Sequence, residues 1–219
     1  MFSLDPYALI VLLTALSLLP FVAMITTSYL KLVVVMSLIR NAIGIQSIPP
    51  NMVLNAMALI LSCYIMAPTL ERSWAILQRE MASEEAPRTF RTEMLLKAAE
   101  PMREFLERHA ADRHRAFFVR TAERLWSPDG ESEATVDERS FYILIPAFTV
   151  TELTKAFQIG FLVYLPFIAI DIIISNILLA MGMMMVSPVT ISLPFKLLLF
   201  VLVDGWTQLI QGLVLSYAA

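Results

Sequence analysis

Glycine is scarce in this chain, with six in 219 residues, and histidine and cysteine are scarcer, with two and one. No glycine-rich phosphate-binding loop is present, so any energy-driven process would draw its energy from elsewhere. The single Cys63 has no second cysteine to pair with, which excludes an internal disulfide. It sits in an apolar run and reads as a small buried hydrophobe. His109 and His114 are spaced too loosely for a shared helical metal face, and no cysteine or paired acids complete a site. Both read as solvated surface among arginines, and the chain shows no machinery for metal or acid–base catalysis. Charge is missing from most of the sequence: residues 69–140 hold 12 of the 16 Lys and Arg and 15 of the 19 Asp and Glu. That polar island mixes both signs, the net charge is −3, and no basic stripe runs through it, which argues against nucleic-acid binding. The amino end, "MFSLDPYALIVLLTALSLLPF", lacks the basic start of a secretory signal and a convincing cleavage site. It is expected to be retained and to act as its own insertion signal.

What the chain has in excess is apolar sequence. It is 58% hydrophobic, with a mean hydropathy of +0.71, above the roughly 45–50% of soluble domains. Four apolar regions stand out. The first runs from Tyr7 to Ile39, interrupted by Pro20 and by "TTSYLK"; the second is Met52 to Pro68. The third, Phe141 to Ala180, would measure about 60 Å as one helix, about twice a bilayer core. It must bend, break or leave the membrane, and Pro166 is the expected place. The fourth runs from Pro188 to the end. The expected fold is all-α and membrane-associated: a helical hairpin over 1–68, a small helical insert over 69–140, and a second hairpin over 141–219 with a Met-rich loop at 181–187. Within the insert, three apolar faces recur at helical spacing: Leu70, Trp74, Leu77 and Met81; Leu95, Ala98, Met102 and Phe105; and Phe118, Thr121 and Leu125. "SPDGESEATVDE" (127–138) reads as an acidic loop turning at Asp129-Gly130. The connection 40–51 carries Arg40 and no acid, so the positive-inside rule puts it in the cytoplasm and both termini and the insert outside.

Two features in the apolar regions ask for a function. The first is a set of ionisable residues: Lys31, Glu152, Lys155, Asp171, Lys196 and Asp204. Charge at membrane depth is costly and is usually paired or lines a cavity, although Lys155 and Lys31 could snorkel from near an interface. If the last turn centres on Met184, Asp171 and Lys196 lie at similar depth and could pair across one hairpin. Glu152 could meet Lys196 only through a sharp bend or from a neighbouring subunit. These charges serve either as an inter-helix clamp or as the coupling path of an ion or small-molecule transporter. The second feature is "AMGMMMVSP". Met183, Met184 and Met185 are consecutive, so on a helix they would point about 100° apart and could not share a face. They are either core filler at a tight hairpin or a loop projecting into a confined space, and Gly182 with the following "SPVTIS" favours the loop.

Ile145 to Leu209, "IPAFTVTELTKAFQIGFLVYLPFIAIDIIISNILLAMGMMMVSPVTISLPFKLLLFVLVDGWTQL", closely resembles the signature region of the R subunit of type III secretion export apparatuses. The flagellar counterpart is the export-gate P protein. Residues 27–51, "TSYLKLVVVMSLIRNAIGIQSIPPN", resemble the same family's amino-terminal block; the insert is not covered and is similar to the family's variable periplasmic insert. The resemblance implies a bacterial inner-membrane protein of the secretion basal body that is not an enzyme and uses no cofactor. About five copies would assemble with the S and T subunits into an entry pore for unfolded substrates, next to the U and V subunits and the inner-rod or needle components. It implies that Met183, Met184 and Met185, turned by Gly182, form a deformable gasket, and that Glu152 and Lys196 are a buried charge pair, with Asp171 and Asp204 as secondary buried charges. The compact 26–51 block and the absence of a basic start favour the virulence injectisome version over the flagellar one.

Overall fold

The structure, a computed structural model, describes residues 6–45, 47–82, 92–126, 136–183 and 185–218. Among these residues the chain is helical throughout, without a strand. The helices are α1 (Pro6–Thr26), α2 (Tyr29–Ile43), α3 (Asn51–Ala82), α4 (Thr92–Ala98), α5 (Glu100–His109), α6 (Asp112–Trp126), α7 (Phe141–Ala180), α8 (Pro188–Leu202) and α9 (Gly205–Leu215).

The first apolar region does not break at Pro20, which lies inside α1. It breaks at the hydroxyl cluster that follows. Thr26 and Thr27 donate their hydroxyls back to the Val22 and Ala23 carbonyls, a competition with the helical ladder that bends helices. Ser28 then donates to Ser62 on α3, and Ser62 to Thr27. The chain turns by 66° between the end of α1 and α2. α2 stops at Gly44, where φ is +94° and the backbone N–H reaches the Asn41 carbonyl, a left-handed cap that glycine adopts without a Cβ penalty.

α2 is the hub. Leu32, Val35, Met36, Ile39, Ala42 and Ile43 are buried on it, against Leu54 and Ala58 of α3, Ala156 and Phe167 of α7, Phe200 of α8 and Leu213 of α9. The α2–α3 and α7–α8 hairpins are both present, and α2 packs more extensively on α7 than on its own hairpin partner. Gly160 is the closest approach: a Cβ there would lie 2.3 Å from Leu38 Cδ1.

α7 does not break at Pro166. It is one 40-residue helix running through Pro146 and Pro166, and proline is tolerated in such helices when neighbours secure the freed backbone. Its excess length is resolved at the other end. Leu144, Ala147 and Phe148 form a core with Leu106 of α5 and Ala110 just after it, and Ile143 packs on Val119 and Ala122 of α6. The first turns of α7 therefore belong to the polar insert, and only the remainder needs an apolar surrounding. Likewise α3 continues uninterrupted past residue 68, so a single helix carries the first hairpin into the insert.

The helical faces read in the insert are only partly its core. Met102 and Phe105 pack inward, but Leu70, Trp74, Met81, Leu95 and Leu125 are exposed, and α6 buries Val119 and Ala122. An apolar stripe states which side of a helix avoids water, not which chain covers it. Cys63 corrects the same inference, since it is exposed on α3 and not buried. The Asp129-Gly130 turn lies outside the described residues.

Among the described residues two helices, α3 and α7, are long and apolar enough to cross a membrane, or up to four spans exist if each bent pair, α1–α2 and α8–α9, counts as one. Only 11% of α7's most apolar window is buried within the chain. Apolar surface on that scale has to be covered by lipid or by other protein.

Candidate functional site

The methionine turn is built by its glycine. At the end of α7, the Met183 N–H bonds to the Leu178 carbonyl and the Gly182 N–H to the Leu179 carbonyl. This 6→1 and 5→2 pair is a Schellman cap, and it requires a left-handed residue at Gly182. Gly182 has φ +73°. The cap ends the helix abruptly and throws the next residues outward: Met181 and Met183 are exposed, and Met185 is fully so. Met184 lies outside the described residues. The turn carries no charge from Met181 to the start of α8, so what it offers its surroundings is flexible, polarisable apolar surface.

The buried charges fall into two clusters. In the first, Glu152 is completely buried and accepts from Lys31 Nζ at 3.0 Å, with Lys31 itself 1% exposed. Its other oxygen accepts from Lys155 Nζ at 3.2 Å, and the Tyr217 hydroxyl donates to Glu152 Oε2. Lys31 Nζ also sits 3.6 Å above the Tyr217 ring. One carboxylate thus joins α2, α7 and the residues after α9. In the second cluster, Lys196 Nζ lies 2.6 Å from Asp171 Oδ2 and 3.3 Å from the Ala42 carbonyl, where it neutralises the carbonyl end of α2. Ser192 Oγ donates to Asp171 Oδ1 at 2.6 Å.

Within the chain, then, Glu152 and Lys196 do not pair with each other. The hairpin pairing of Asp171 with Lys196 is the one formed; α7 runs through Pro166 as one helix, which sets Glu152 more than five helical turns before Asp171. Lys31 does not snorkel; it is a core residue. Its position was legible after the fact, since Lys31, Val35, Ile39 and Ala42 form one buried helical stripe. Nothing local in the sequence marks Tyr217. Asp204 joins neither cluster: it is exposed, has φ +49°, and accepts from Thr207 Oγ1 at 3.0 Å at the bend between α8 and α9.

Sequence reasoning also placed His109 on the surface, and the structure buries it. It is 7% exposed, its ring packs on Phe105 and Tyr217, and its carbonyl accepts from Lys155. Burial, with the Lys155, Lys31 and Arg108 cations, outweighs the pull of Glu152 and lowers its pKa to about 4. His114 is bonded through Nδ1 to Thr151 Oγ1 at 2.7 Å. Since Thr151 gives its own proton to the Ala147 carbonyl, His114 Nδ1 is the donor.

A folded pKa near 4 makes a stability prediction. His109 is neutral in both states above about pH 6.5. Below that the unfolded chain takes up a proton that the folded chain refuses, so stability falls as pH drops from about 6.5 toward 4. The thermal midpoint of the protein in gentle detergent should decline over this window, and His109→Leu should flatten the decline.

Among the described residues no group of His, Cys, Asp or Glu could hold a metal ion. What the fold and site define is a helical membrane protein whose buried charges tie helices together and whose longest hairpin ends in an uncharged methionine turn. The chain belongs to the FliP family, whose model matches residues 12–213. It is 52% identical over 216 residues to the Yop proteins translocation protein R of Yersinia pestis, covering 97% of each chain. It is 48% identical to the hypersensitivity response secretion protein HrcR of Ralstonia nicotianae, covering 96% of each. It is 42% identical to the flagellar biosynthetic protein FliP of Pectobacterium carotovorum, spanning 95% of this chain and 77% of that one. The resemblance to type III secretion R subunits and their flagellar counterpart, read from residues 27–51 and 145–209, is borne out.

Proposed function

We propose that the chain is a pore-forming core subunit of a type III export apparatus in the bacterial inner membrane, through which unfolded proteins leave the cytoplasm. Protein transport by a type III system is the common ground of the relatives; the pore and its gate are the finer reading. The observation that carries it is the Schellman turn, which projects Met183 and Met185 away from the fold with no charge nearby. Repeated around a ring of about five copies, Met183, Met184 and Met185 of each subunit would make a soft seal that a passing chain can part. The apolar surface that α7 leaves uncovered supports assembly with further copies and with the S and T subunits. The insert then faces the periplasm, and the U and V subunits, with the inner-rod or needle components, are neighbours. Near-equal length favours the injectisome version: the chain covers 97% and 96% of the Yersinia and Ralstonia secretion relatives but 77% of the flagellar one.

Replacing Met183, Met184 and Met185 together with alanine should raise small-ion leakage through the reconstituted complex while its assembled mass stays unchanged. An unaltered leak from a normally assembled complex would sink the gasket. A transporter reading of the same charges is disfavoured: Glu152 is saturated by two lysines and a tyrosine, and Asp171 by Lys196 and Ser192, which suits clamping better than proton or ion relay. Native mass measurement with the partner subunits co-expressed separates the two. A large complex is expected, and a monomer or dimer alone would favour a transporter.

A further inference from the structure

Two cavities adjoin at the 58° bend between α8 and α9. One, of about 360 Å³, is bordered by Arg40, Ile48, Leu197, Asp204 and Trp206. The other, of about 540 Å³, has among the described residues Gln208 as its only polar side chain and is walled by Val163, Phe167, Leu199 and Leu213; both cavities share Phe200 and Gly205. Both volumes fall in the range of about 300–1,000 Å³ usual for ligand sites. The second cavity lies among helices apolar enough to lie in a membrane, and the first opens at their end, beside the α2–α3 connection that carries Ile45, Ile48 and Pro49.

The first cavity has an unusual charge arrangement. Arg40 gives Nη1 to the Pro49 carbonyl and Asn51 Oδ1, while its Nε is buried with no hydrogen-bond partner. Asp204 keeps only the Thr207 hydroxyl. Among the described residues neither makes an ion pair, with each other or with any other side chain. A cation and an anion that line one cavity without pairing are complementary to a ligand carrying both charges. A purely anionic headgroup would be repelled by Asp204, and a purely cationic one by Arg40.

We propose that the paired cavities bind a zwitterionic aminophospholipid of the phosphatidylethanolamine type. Its phosphate lies against Arg40, its ammonium against Asp204, and one acyl chain fills the apolar cavity beyond Phe200. Basic pockets between membrane helices are a recognised form of lipid headgroup site, and the added acid selects the amine. The bound lipid braces the bend between α8 and α9. The proposal rests on the chain's membrane location and is independent of the pore and its gasket.

The test uses the full chain, co-expressed with its export partners, purified in gentle detergent, delipidated and titrated with dioleoylphosphatidylethanolamine or dioleoylphosphatidylglycerol while adducts are counted by native mass spectrometry. Wild type should take up the ethanolamine lipid at a concentration at least tenfold lower than the glycerol lipid. Arg40→Gln should weaken both, and Asp204→Asn should erase the preference, with asparagine tolerating the left-handed backbone. Gly212 lines the apolar cavity, and a Cβ added there meets nothing within 4 Å. Gly212→Leu should therefore exclude both lipids with an unchanged thermal midpoint. Equal uptake of the two lipids by wild type, a preference that survives Asp204→Asn, or normal uptake by Gly212→Leu would each overturn the proposal. So would a change in assembled mass without a change in lipid uptake in Gly212→Leu, because a neighbouring chain would then be the occupant.

Discussion

Glu152→Gln is expected to destabilise the chain by about 3–5 kcal/mol, the usual cost of breaking a buried ion pair from one side. Glu152 is 0% exposed and Lys31 1%, so removing the carboxylate strands an ammonium where water cannot follow. The Tyr217 ring would remain beneath Lys31, but a cation–aromatic contact contributes about 2 kcal/mol even when desolvated and does not offset the loss. Lys155→Ala should cost far less, because that side chain is 43% exposed and a solvated pair contributes about 0–1 kcal/mol. The double variant Lys31→Met with Glu152→Leu should recover most of the stability, since apolar replacement of a buried pair is often neutral. Thermal midpoints in gentle detergent decide the matter. A small effect of Glu152→Gln together with a large effect of Lys155→Ala would refute the assignment of Lys31 as the principal partner.

Phe148→Ala should cost a comparable amount, about 3–5 kcal/mol, but locally. Phe148 is completely buried, in one cluster with Leu106, Ala110, Leu144 and Ala147, and its ring lies 5.7 Å from that of Phe105. It therefore sits in the seam between α5 and the first turns of α7, away from the α2-centred core. The truncation should loosen the insert and leave the hairpins intact. Hydrogen exchange should speed up in α5 and α6 while α2 stays protected. Unchanged protection of α5 would mean that the insert is held by its surface ion pairs, Arg139 with Glu100 and Glu107, and not by the buried seam.

Much of the architecture was legible residue by residue. The four apolar regions, the polar island and the turn after Ala180 follow from local composition, because a helix long enough to need an apolar surrounding must be apolar along its length. The turn is the best case: a glycine followed by uncharged methionines predicts a break, and the Schellman geometry at Gly182 supplies it. The misreadings share one physical cause. Pro166, Cys63 and His109 were each judged from their own segment. Whether a proline breaks a helix or a side chain is buried depends on what the neighbouring helices offer. Lys31 is the sharpest instance. Seen alone it is a lysine near a helix start that could reach water, yet α7 and the residues after α9 close over it.

The sequence by itself determined the class of this protein: an all-helical membrane chain with a polar insert and an uncharged methionine turn. Composition and spacing suffice there because solvent and lipid act on every residue separately. Only the tertiary structure decided which charges meet. Lys31 with Glu152 and Asp171 with Lys196 are fixed by the register of α2 against α7 and of α7 against α8, and no single segment carries that register. Arg40 and Asp204, from the end of α2 and from the bend between α8 and α9, were brought to the lining of one cavity by the same packing.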